Sequence, residues 1–261
     1  SVSKLWSVFF QTPYRLSVAY VASVVLIESE DVSQSFLPVR DRNLYVMPFH
    51  QPVIEKVLSA EGSDKLIVAE SKLVIRGKKL RGNITLVKVN EKEIIPESIS
   101  ETQITVSLPS SLSAGVHGLQ VVHKMLMGTP QVPHNSVESN LYSFVLHPTI
   151  TEKITISKIE GSGGDSRSAN LTIKIKPDVG MKQRVLLFLN SISSGEKVSY
   201  TFIDAARSID TNTLKMHIEG VKSANYLVRV QVDGAQSQLT LDTDKNSPTF
   251  NQYSSPKVEI P

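Results

Sequence analysis

Short segments in which apolar and polar residues alternate dominate the chain. The clearest alternation lies at residues 104–108, where Ile, Val and Leu are separated by Thr and Ser, which is typical of a strand with one buried face. The most apolar stretch, residues 16–27, is rich in Val and small polar residues and predicts a buried strand. Further strands are predicted at residues 73–75, 84–89, 118–122, 154–156, 171–175, 184–189, 214–218 and 226–232.

Helical patterns are sparse by comparison. Residues 52–58 predict one short helix or turn, and the i, i+4 spacing of the aromatic residues in 5–10 indicates the end of another helix. Residues 129–140 are polar and contain Pro, which predicts a long loop. Residues 161–165 are Gly-rich and predict a hairpin connection. Turn residues separate the predicted strands at intervals of about 8–15 residues, a spacing typical of β-sandwiches.

Turn residues also mark two domain boundaries, at residues 59–64 and 147–149. The length of 261 residues allows two domains or three small ones. We therefore divide the chain into residues 1–62, 63–148 and 149–261.

Charge and composition narrow the function classes. The net charge is +3, and the 28 basic and 25 acidic residues are spread along the chain. The compact basic cluster at residues 76–81 predicts a solvated turn between strands more than a phosphate-binding patch, so no nucleic-acid partner is indicated. There is no cysteine, which excludes disulfides and thiolate chemistry. The apolar stretch at 18–27 is about half the ~20 residues that a membrane helix needs, and membrane contact is not indicated.

Candidate metal sites are weak. His117 and His123 flank a predicted strand without a neighbouring carboxylate, and we interpret them as ordinary surface or edge histidines. Residues 242–246 imitate the start of a calcium loop, but Ser247 and Tyr253 stand where Gly and Glu are required. The sequence therefore predicts no metal and no cofactor.

Catalytic patterns are also missing. The carboxylate pairs Glu28 with Glu30 and Glu91 with Glu93 are spaced two apart on strand-like segments, where a solvated face explains them better than a glycosidase pair. No nucleophile motif is present, and we predict that the protein is not an enzyme and has no catalytic residues.

Residues 66–122 carry a family pattern. Leu73-Val-Ile-Arg-Gly77 precedes Leu80-Arg-Gly82, and the alternating strand at 104–108 is followed by Ala114-Gly-Val-His-Gly118-Leu-Gln-Val-Val122. This resembles an IPT/TIG immunoglobulin-like domain, in which the glycines are expected to allow turns with positive φ and the alternating apolar residues to fill a sandwich.

The order of the whole chain shows a second resemblance. Residues 11–20 (Gln-Thr-Pro-Tyr-Arg-Leu-Ser-Val-Ala-Tyr) lead into a β-branched stretch, and residues 226–234 read Tyr-Leu-Val-Arg-Val-Gln-Val-Asp-Gly. Together with the closing Pro256-Lys-Val-Glu-Ile-Pro261, this resembles the cap, or tail-terminator, proteins of extracellular contractile injection systems such as antifeeding-prophage-like particles.

The resemblance implies a mostly β fold: the C-terminal end of an α+β terminator domain in residues 1–62, followed by two tandem immunoglobulin-like β-sandwiches at 63–148 and 149–261. Because the chain starts without Met, we expect that it begins inside a longer protein whose terminator domain has further N-terminal residues. The implied function is a structural cap that assembles as a homo-oligomeric ring, a hexamer, and ends polymerisation of the sheath and inner tube. Its partners would be itself and the sheath and inner-tube subunits.

The strand at 16–27 is a candidate for the layer that satisfies open strand edges of the last sheath ring, with a place in the core as the stronger alternative. An oligomer and sheath interface is implied for residues of the first 20, with the core of the terminator domain as an equal alternative for the first four: Trp6, Phe9, Phe10, Tyr14, Arg15 and Tyr20.

The resemblance also implies assembly in the bacterial cytoplasm, within a particle that is released or anchored. Two other functions remain open at this point. One is a bacterial surface adhesin or carbohydrate-binding module with tandem sandwiches, although the scarcity of aromatic residues disfavours sugar stacking. The other is an accessory domain of an enzyme.

Overall fold

The computed structural model describes residues 21–24, 50–161, 166–192 and 197–261. The chain divides into two compact units, residues 1–45 and 46–261. Within the described residues every regular element is a strand and all strand pairs are antiparallel. The predicted mostly β fold is therefore confirmed for this part of the chain, whereas most of the predicted terminator domain lies outside the described residues.

The first sandwich contains two antiparallel sheets, in the orders β1-β2-β6-β5 and β4-β3-β7, with β8 and β9 both pairing with β7. Its strands are Val53–Ser59 (β1), Lys72–Lys78 (β2), Ile84–Val89 (β3), Lys92–Ile94 (β4), Ser98–Ile99 (β5), Gln103–Ser107 (β6), Gly115–Met127 (β7), Val132–Glu138 (β8) and Tyr142–Leu146 (β9).

Alternation along these strands builds the core of the first sandwich. Leu73 and Ile75 on β2 and Ile104 on β6 point inward from one sheet, and Val87 and Leu119 point inward from the other. These side chains are almost completely buried. Because successive strand residues face opposite sides, the polar residues between them lie on the outer faces.

The second sandwich has a sheet in which β12 pairs with β15 on one side and with β10 and β11 on the other. Its second sheet has the order β14-β13-β16, with β17 and β20 both pairing with β16, and β18 pairs with β19 alone. The strands are Thr149–Ile150 (β10), Thr155–Glu160 (β11), Arg167–Val179 (β12), Val185–Ser191 (β13), Ser199–Ile203 (β14), Thr211–Val221 (β15), Ala224–Val232 (β16), Ala235–Gln236 (β17), Thr240–Leu241 (β18), Tyr253–Ser255 (β19) and Lys257–Ile260 (β20).

Leu171, Leu187, Met216 and Val228 belong to the core that the two sheets of the second sandwich enclose. The core also contains Tyr226, near the start of β16, which is 1% exposed and whose hydroxyl donates to the Lys222 carbonyl oxygen at 2.7 Å. A tyrosine near the start of a strand that bonds to the backbone a few residues upstream is typical of Greek-key sandwiches.

The predicted short helix or turn at residues 52–58 is wrong, because these residues form β1. A β-bulge between Ile54 and Lys56 inserts one residue into the strand, so that Ile54 and Val57 both face the core. Their spacing of three therefore imitates a helix. Residues 53–59, which the sequence analysis assigned to the N-terminal domain, pair with β2 and belong to the first sandwich.

The predicted loop at residues 129–140 is also wrong, because it contains β8. Pro133 lies inside this strand, opposite Leu126 of β7. Among the described residues β8 pairs only with β7, so it is an edge strand, and an edge strand tolerates the missing N–H of proline. Of the buried strand predicted at residues 16–27, only 21–24 are described. These four residues lie outside any strand, with Val21 98% exposed and Val24 89% exposed, so the prediction fails there.

Two glycines of the IPT/TIG-like pattern have a role other than the expected one. Neither Gly77 nor Gly82 has a positive φ, whereas Gly115 has φ +136°. A Cβ at Gly77 would lie 2.0 Å from the Val53 carbonyl oxygen, and one at Gly82 would lie 2.7 Å from the His123 ring. Close approach of neighbouring groups, not turn geometry, therefore requires glycine at these two positions.

Candidate functional site

The interface residues predicted from the sequence lie outside the described residues, so the structure gives no contacts for them; they are Trp6, Phe9, Phe10, Tyr14, Arg15 and Tyr20. Residues 25–49, with Glu28 and Glu30, also lie outside. The contacts that follow therefore all belong to the two sandwiches.

The histidines of β7 are buried, which corrects their interpretation as surface or edge residues. His117 Nε2 lies 2.8 Å from the Ser113 carbonyl oxygen and must donate to it, so Nδ1 accepts from the Asn90 side-chain amide at 2.9 Å. His123 Nε2 donates to the Leu80 carbonyl oxygen at 3.0 Å. Both rings therefore stabilise neighbouring loops. In the described part of the chain, no group of three or more His, Asp or Glu side chains is placed to hold a metal ion.

The basic cluster at residues 76–81 contains one fully buried apolar residue, Leu80. The Leu80 N–H donates to the Glu101 carbonyl oxygen. Lys78, at the end of β2, pairs with the Glu55 carboxylate at 2.9 Å, and the hydrogen bond to Glu55 raises the pKa of this lysine. One cation of the cluster is thus already paired within the first sandwich.

In the stretch that imitates a calcium loop, the Asp242 carboxylate accepts hydrogen bonds from the loop itself. Asp242 accepts from the Thr249 hydroxyl at 2.6 Å and from the Asp244 N–H at 3.0 Å. Hydrogen bonds from Ser247, Thr249 and the Asp244 backbone lower the pKa of the Asp242 carboxyl. The loop is held by these bonds within the protein.

The two sandwiches are joined by polar contacts that we call the joint. The Gln183 side-chain amide donates to the Ala114 carbonyl oxygen at 2.7 Å and to the Asp233 carboxylate at 2.8 Å. His147 Nδ1 lies 2.8 Å from the Gln236 carbonyl oxygen. Ala114, from the first sandwich, also packs into the core of the second. The joint therefore combines hydrogen bonds with continuous apolar packing.

A buried ion pair supports the second sandwich's side of the joint. Arg207 pairs with Asp204, and both side chains are almost buried. The same guanidinium donates to the carbonyl oxygens of Gly180, at 3.2 Å, and Gln183. These bonds fix the loop that carries Gln183. A cavity of about 440 Å³ lies beside this loop, lined by residues of both sandwiches, including Ser111 and Lys176.

The outer side of the sheet β14-β13-β16 carries several apolar residues, interspersed with polar ones such as Thr201 opposite Phe188 and Gln231 opposite Leu186. We call part of this side the β13 face and define it as Leu186, Phe188, Ile203, Leu227 and Arg229. Leu186 pairs with Ile203 on β14, and Phe188 pairs with Arg229 on β16. Ile203 is 66% exposed, and the other four are half-buried.

Arg229 is held in place on this face. Its guanidinium lies over the Phe188 ring, with 5.6 Å from the carbon to the ring centroid, and its Nη2 donates to the Asn190 side chain at 2.9 Å. The Nε atom is buried and has no hydrogen-bond partner. Within the described residues no carboxylate pairs with this guanidinium. The positive charge is therefore oriented but not neutralised.

A cavity of about 560 Å³ opens beside Arg229. Its lining includes a second cation, Lys65, and amide and hydroxyl groups, and it contains no acidic side chain. Sequence reasoning missed this cavity. In the sequence, an arginine that alternates with apolar residues along a strand predicts a solvated face. Its contact with Phe188 depends on the register between β13 and β16, which the sequence pattern does not give.

Two family models match different parts of the chain. Residues 1–41 match the Pvc16 N-terminal domain, and residues 148–259 match a domain of unknown function (DUF8756). Each match covers less than half of the chain. The first supports a relation to Pvc16-type components of phage-tail-like particles, which is the coarse form of the resemblance found in the sequence. None of the curated proteins compared matches the chain. In the part of the chain that the structure describes, no helix is long and apolar enough to cross a membrane.

Proposed function

We propose that this protein is the cap, or tail terminator, of a contractile phage-tail-like injection particle. The observation that carries the proposal is the match of residues 1–41 to the Pvc16 N-terminal domain. These residues include the segment 11–20, one of the segments that carry the resemblance to cap proteins. The proposed role is structural and requires no cofactor.

The mechanism follows from the way in which strand edges polymerise. An open sheet edge offers unpaired N–H and C=O groups and templates the addition of a further strand. A cap ends growth if it satisfies the last open edges of sheath and inner tube without offering new ones. We propose that the N-terminal segment does this as part of a homo-oligomeric ring, a hexamer, with the sandwiches carried on the ring.

The first sandwich is consistent with this role because it protects one of its own edges. β1 is an edge strand among the described residues, and the Asn140 side chain occupies both backbone groups of Ile54 on that edge. A domain whose edge is blocked in this way is less able to recruit another strand.

The test is electron microscopy of particles from cells in which the gene is deleted. We expect sheath–tube assemblies of unregulated length, or no intact particles, and we expect the intact gene to restore normal particles. A Trp6→Ala and Phe9→Ala double variant tests the implied interface, with Lys215→Ala, an exposed change on β15, as the control. The control should restore particles and the double variant should not.

Particles of normal length with a normal blunt end in the deleted strain would contradict the proposal. Mass measurement of the purified protein then tests the ring separately: a hexamer is expected, and a monomer at the concentrations found in particles would contradict it. A normal particle together with loss of binding to cells would instead indicate the adhesin function.

A further inference from the structure

The β13 face of the second sandwich and the adjacent cavity beside Arg229, which Lys65 of the first sandwich also lines, are not used by the proposed cap function. Leu186 and Ile203 form a cross-strand apolar pair, and the next outward position on β13, Phe188, supports the Arg229 guanidinium. The cavity at Arg229 adds Lys65 and neutral polar groups. The surface therefore passes from an apolar strip to an electropositive cavity.

We propose that this surface docks an extended acidic segment of a partner protein. Apolar side chains of the segment pack on Leu186, Phe188 and Ile203, and a neighbouring carboxylate lies between Arg229 and Lys65. The proposal concerns residues outside the N-terminal segment and does not rest on the cap function.

The chemistry of the partner follows from charge complementarity. The chain as a whole has nearly equal numbers of basic and acidic residues, yet the cavity lining has two cations and no acid. An uncompensated arginine beside half-buried apolar groups is partly desolvated, so a carboxylate gains more there than at an open surface. A basic or neutral segment would leave the two cations without a counter-charge.

The position of Arg229 is already fixed, which favours binding. The stacking on Phe188 and the bond to Asn190 restrict the guanidinium, so little side-chain entropy is lost when a partner binds. The unpaired Nε is a buried donor whose desolvation is not offset within the protein. An ion pair between a partner carboxylate and the accessible side of the guanidinium offsets this desolvation cost. Arginine and aromatic residues are also the types enriched at the energetic centres of interfaces.

Two acidic groups lie near the described outer side of this sheet. Asp233, just past the end of β16, already accepts hydrogen bonds from the Gln183 side chain and the Arg184 N–H. The other is Glu259 on β20. It lies opposite Asn225, one outward position beyond the Leu227–Lys257 pair. Lys257 therefore stands between Glu259 and the β13 face in the register. The carboxylate of Glu259 leaves the positive character of the Arg229 cavity unchanged.

The test uses the whole chain and three fluorescent peptides in which leucine alternates with glutamate, glutamine or lysine. Fluorescence anisotropy at low salt is expected to give at least about tenfold tighter binding of the glutamate peptide than of the glutamine peptide. Binding should weaken as salt is added. Arg229→Gln should reduce binding of the glutamate peptide to the level of the glutamine peptide, and Ile203→Ser should weaken both.

The matched control is Lys215→Gln, the same loss of one charge on the other sheet, which should leave binding unchanged. If Arg229→Gln unfolds the second sandwich, Lys65→Gln in a loop of the first replaces it and should weaken the glutamate peptide several-fold. Equal binding of the glutamate and glutamine peptides, an unchanged affinity in Arg229→Gln, or no binding at millimolar peptide would overturn the proposal. None of these outcomes depends on particle length, so failure here is distinct from failure of the cap function.

Discussion

The Asn140 side chain pairs with both backbone groups of Ile54, accepting from its N–H at 2.8 Å and donating to its carbonyl oxygen at 3.1 Å. Asn140 thus imitates a neighbouring strand at one position of the β1 edge, although 86 residues separate the two in sequence. The bulge of β1 lies at the same place, between Ile54 and Lys56. A bulge and a blocked edge are two of the devices by which native sheets avoid further pairing.

Replacing Asn140 with Ala should expose this edge. Two partly buried backbone groups lose their partners, and we expect the free energy of unfolding of the first sandwich to fall by about 1–2 kcal/mol. Self-association should increase, since the freed groups can pair with another chain. Urea unfolding and analytical ultracentrifugation measure the two effects. Asn212→Ala, an exposed change on β15, is the control, and an effect of equal size there would contradict the edge mechanism.

The joint between the sandwiches depends on a second amide. Gln183 donates to Ala114 of the first sandwich and to Asp233 of the second, so that one side chain links a carbonyl oxygen and a carboxylate across the boundary. Gln183→Ala should therefore loosen the orientation of the sandwiches. We also expect a loss of about 1–2 kcal/mol of stability, because the Asp233 carboxylate loses one of its donors.

Distances between spin labels measure this orientation directly, because the chain has no cysteine of its own. Labels at Glu91→Cys in the first sandwich and Lys215→Cys in the second should give a narrow distance distribution in the parent chain. The distribution should become broad in Gln183→Ala. Gln231→Ala, on the outer side of β16, is the matched control, and a narrow distribution in both variants would show that the apolar packing alone fixes the joint.

Strands with regular alternation were predictable from the sequence. The prediction for residues 84–89 coincides with β3, Ile84–Val89, because apolar residues alternate along the whole strand. The predictions for β7 and β12 covered only the five central residues of strands that have 13 each. In β7 the C-terminal part carries uninterrupted apolar residues, so that pairing with β8, not alternation, makes it a strand. In β12 the alternation of buried and more exposed positions continues from Ala169 to Val179, and the prediction ended before Pro177.

Long-range relationships were not predictable in the same way. The hydrogen bonds of the Gln183 and Asn140 side-chain amides, and the stacking of Arg229 on Phe188, join residues that are far apart in sequence. Each depends on sheet register or on loop geometry, and neither is encoded in local periodicity. The family resemblance indicated the general class of the N-terminal segment, but it contained nothing about these contacts.

The glycine at position 77 shows how a correct pattern can have a different cause. Ala at this position would place its Cβ against the backbone of Val53 on β1, which a side-chain rotation cannot relieve. We expect Gly77→Ala to separate β1 from β2 and to cost about 2–4 kcal/mol, the range of severe local clashes.

Thermal unfolding of Gly77→Ala and Gly180→Ala tests this expectation. At Gly180 the nearest atom to an added Cβ lies 3.5 Å away, on the flexible Gln183 side chain. The free energy of unfolding of that variant should therefore lie within about 0.5 kcal/mol of the parent value. Equal stability of the two variants would contradict the close-approach explanation.

The hydroxyl of Tyr226 should make the second sandwich sensitive to alkaline pH. Burial, together with the charge and hydrogen bond of Tyr200, raises the pKa of Tyr226 from 10.0 to about 12. The folded protein therefore holds this proton more tightly than the unfolded chain does. The resulting stability is fully present below pH 10 and is lost as pH rises from 10 to 12, by about 2–3 kcal/mol in total.

The variant Tyr226→Phe isolates this contribution. At neutral pH it should be less stable than the parent by about 1 kcal/mol, because the bond to the Lys222 carbonyl oxygen is lost. Between pH 10 and 12 its stability should fall less steeply, so that the two curves of unfolding free energy against pH cross in the lower half of this interval, where the parent has lost about 1 kcal/mol. Tyr142→Phe in the first sandwich controls for general effects of alkali. Parallel curves for the parent and Tyr226→Phe would show that the proton on Tyr226 is held no more tightly in the folded protein, and the alkaline sensitivity would then have to come from other groups.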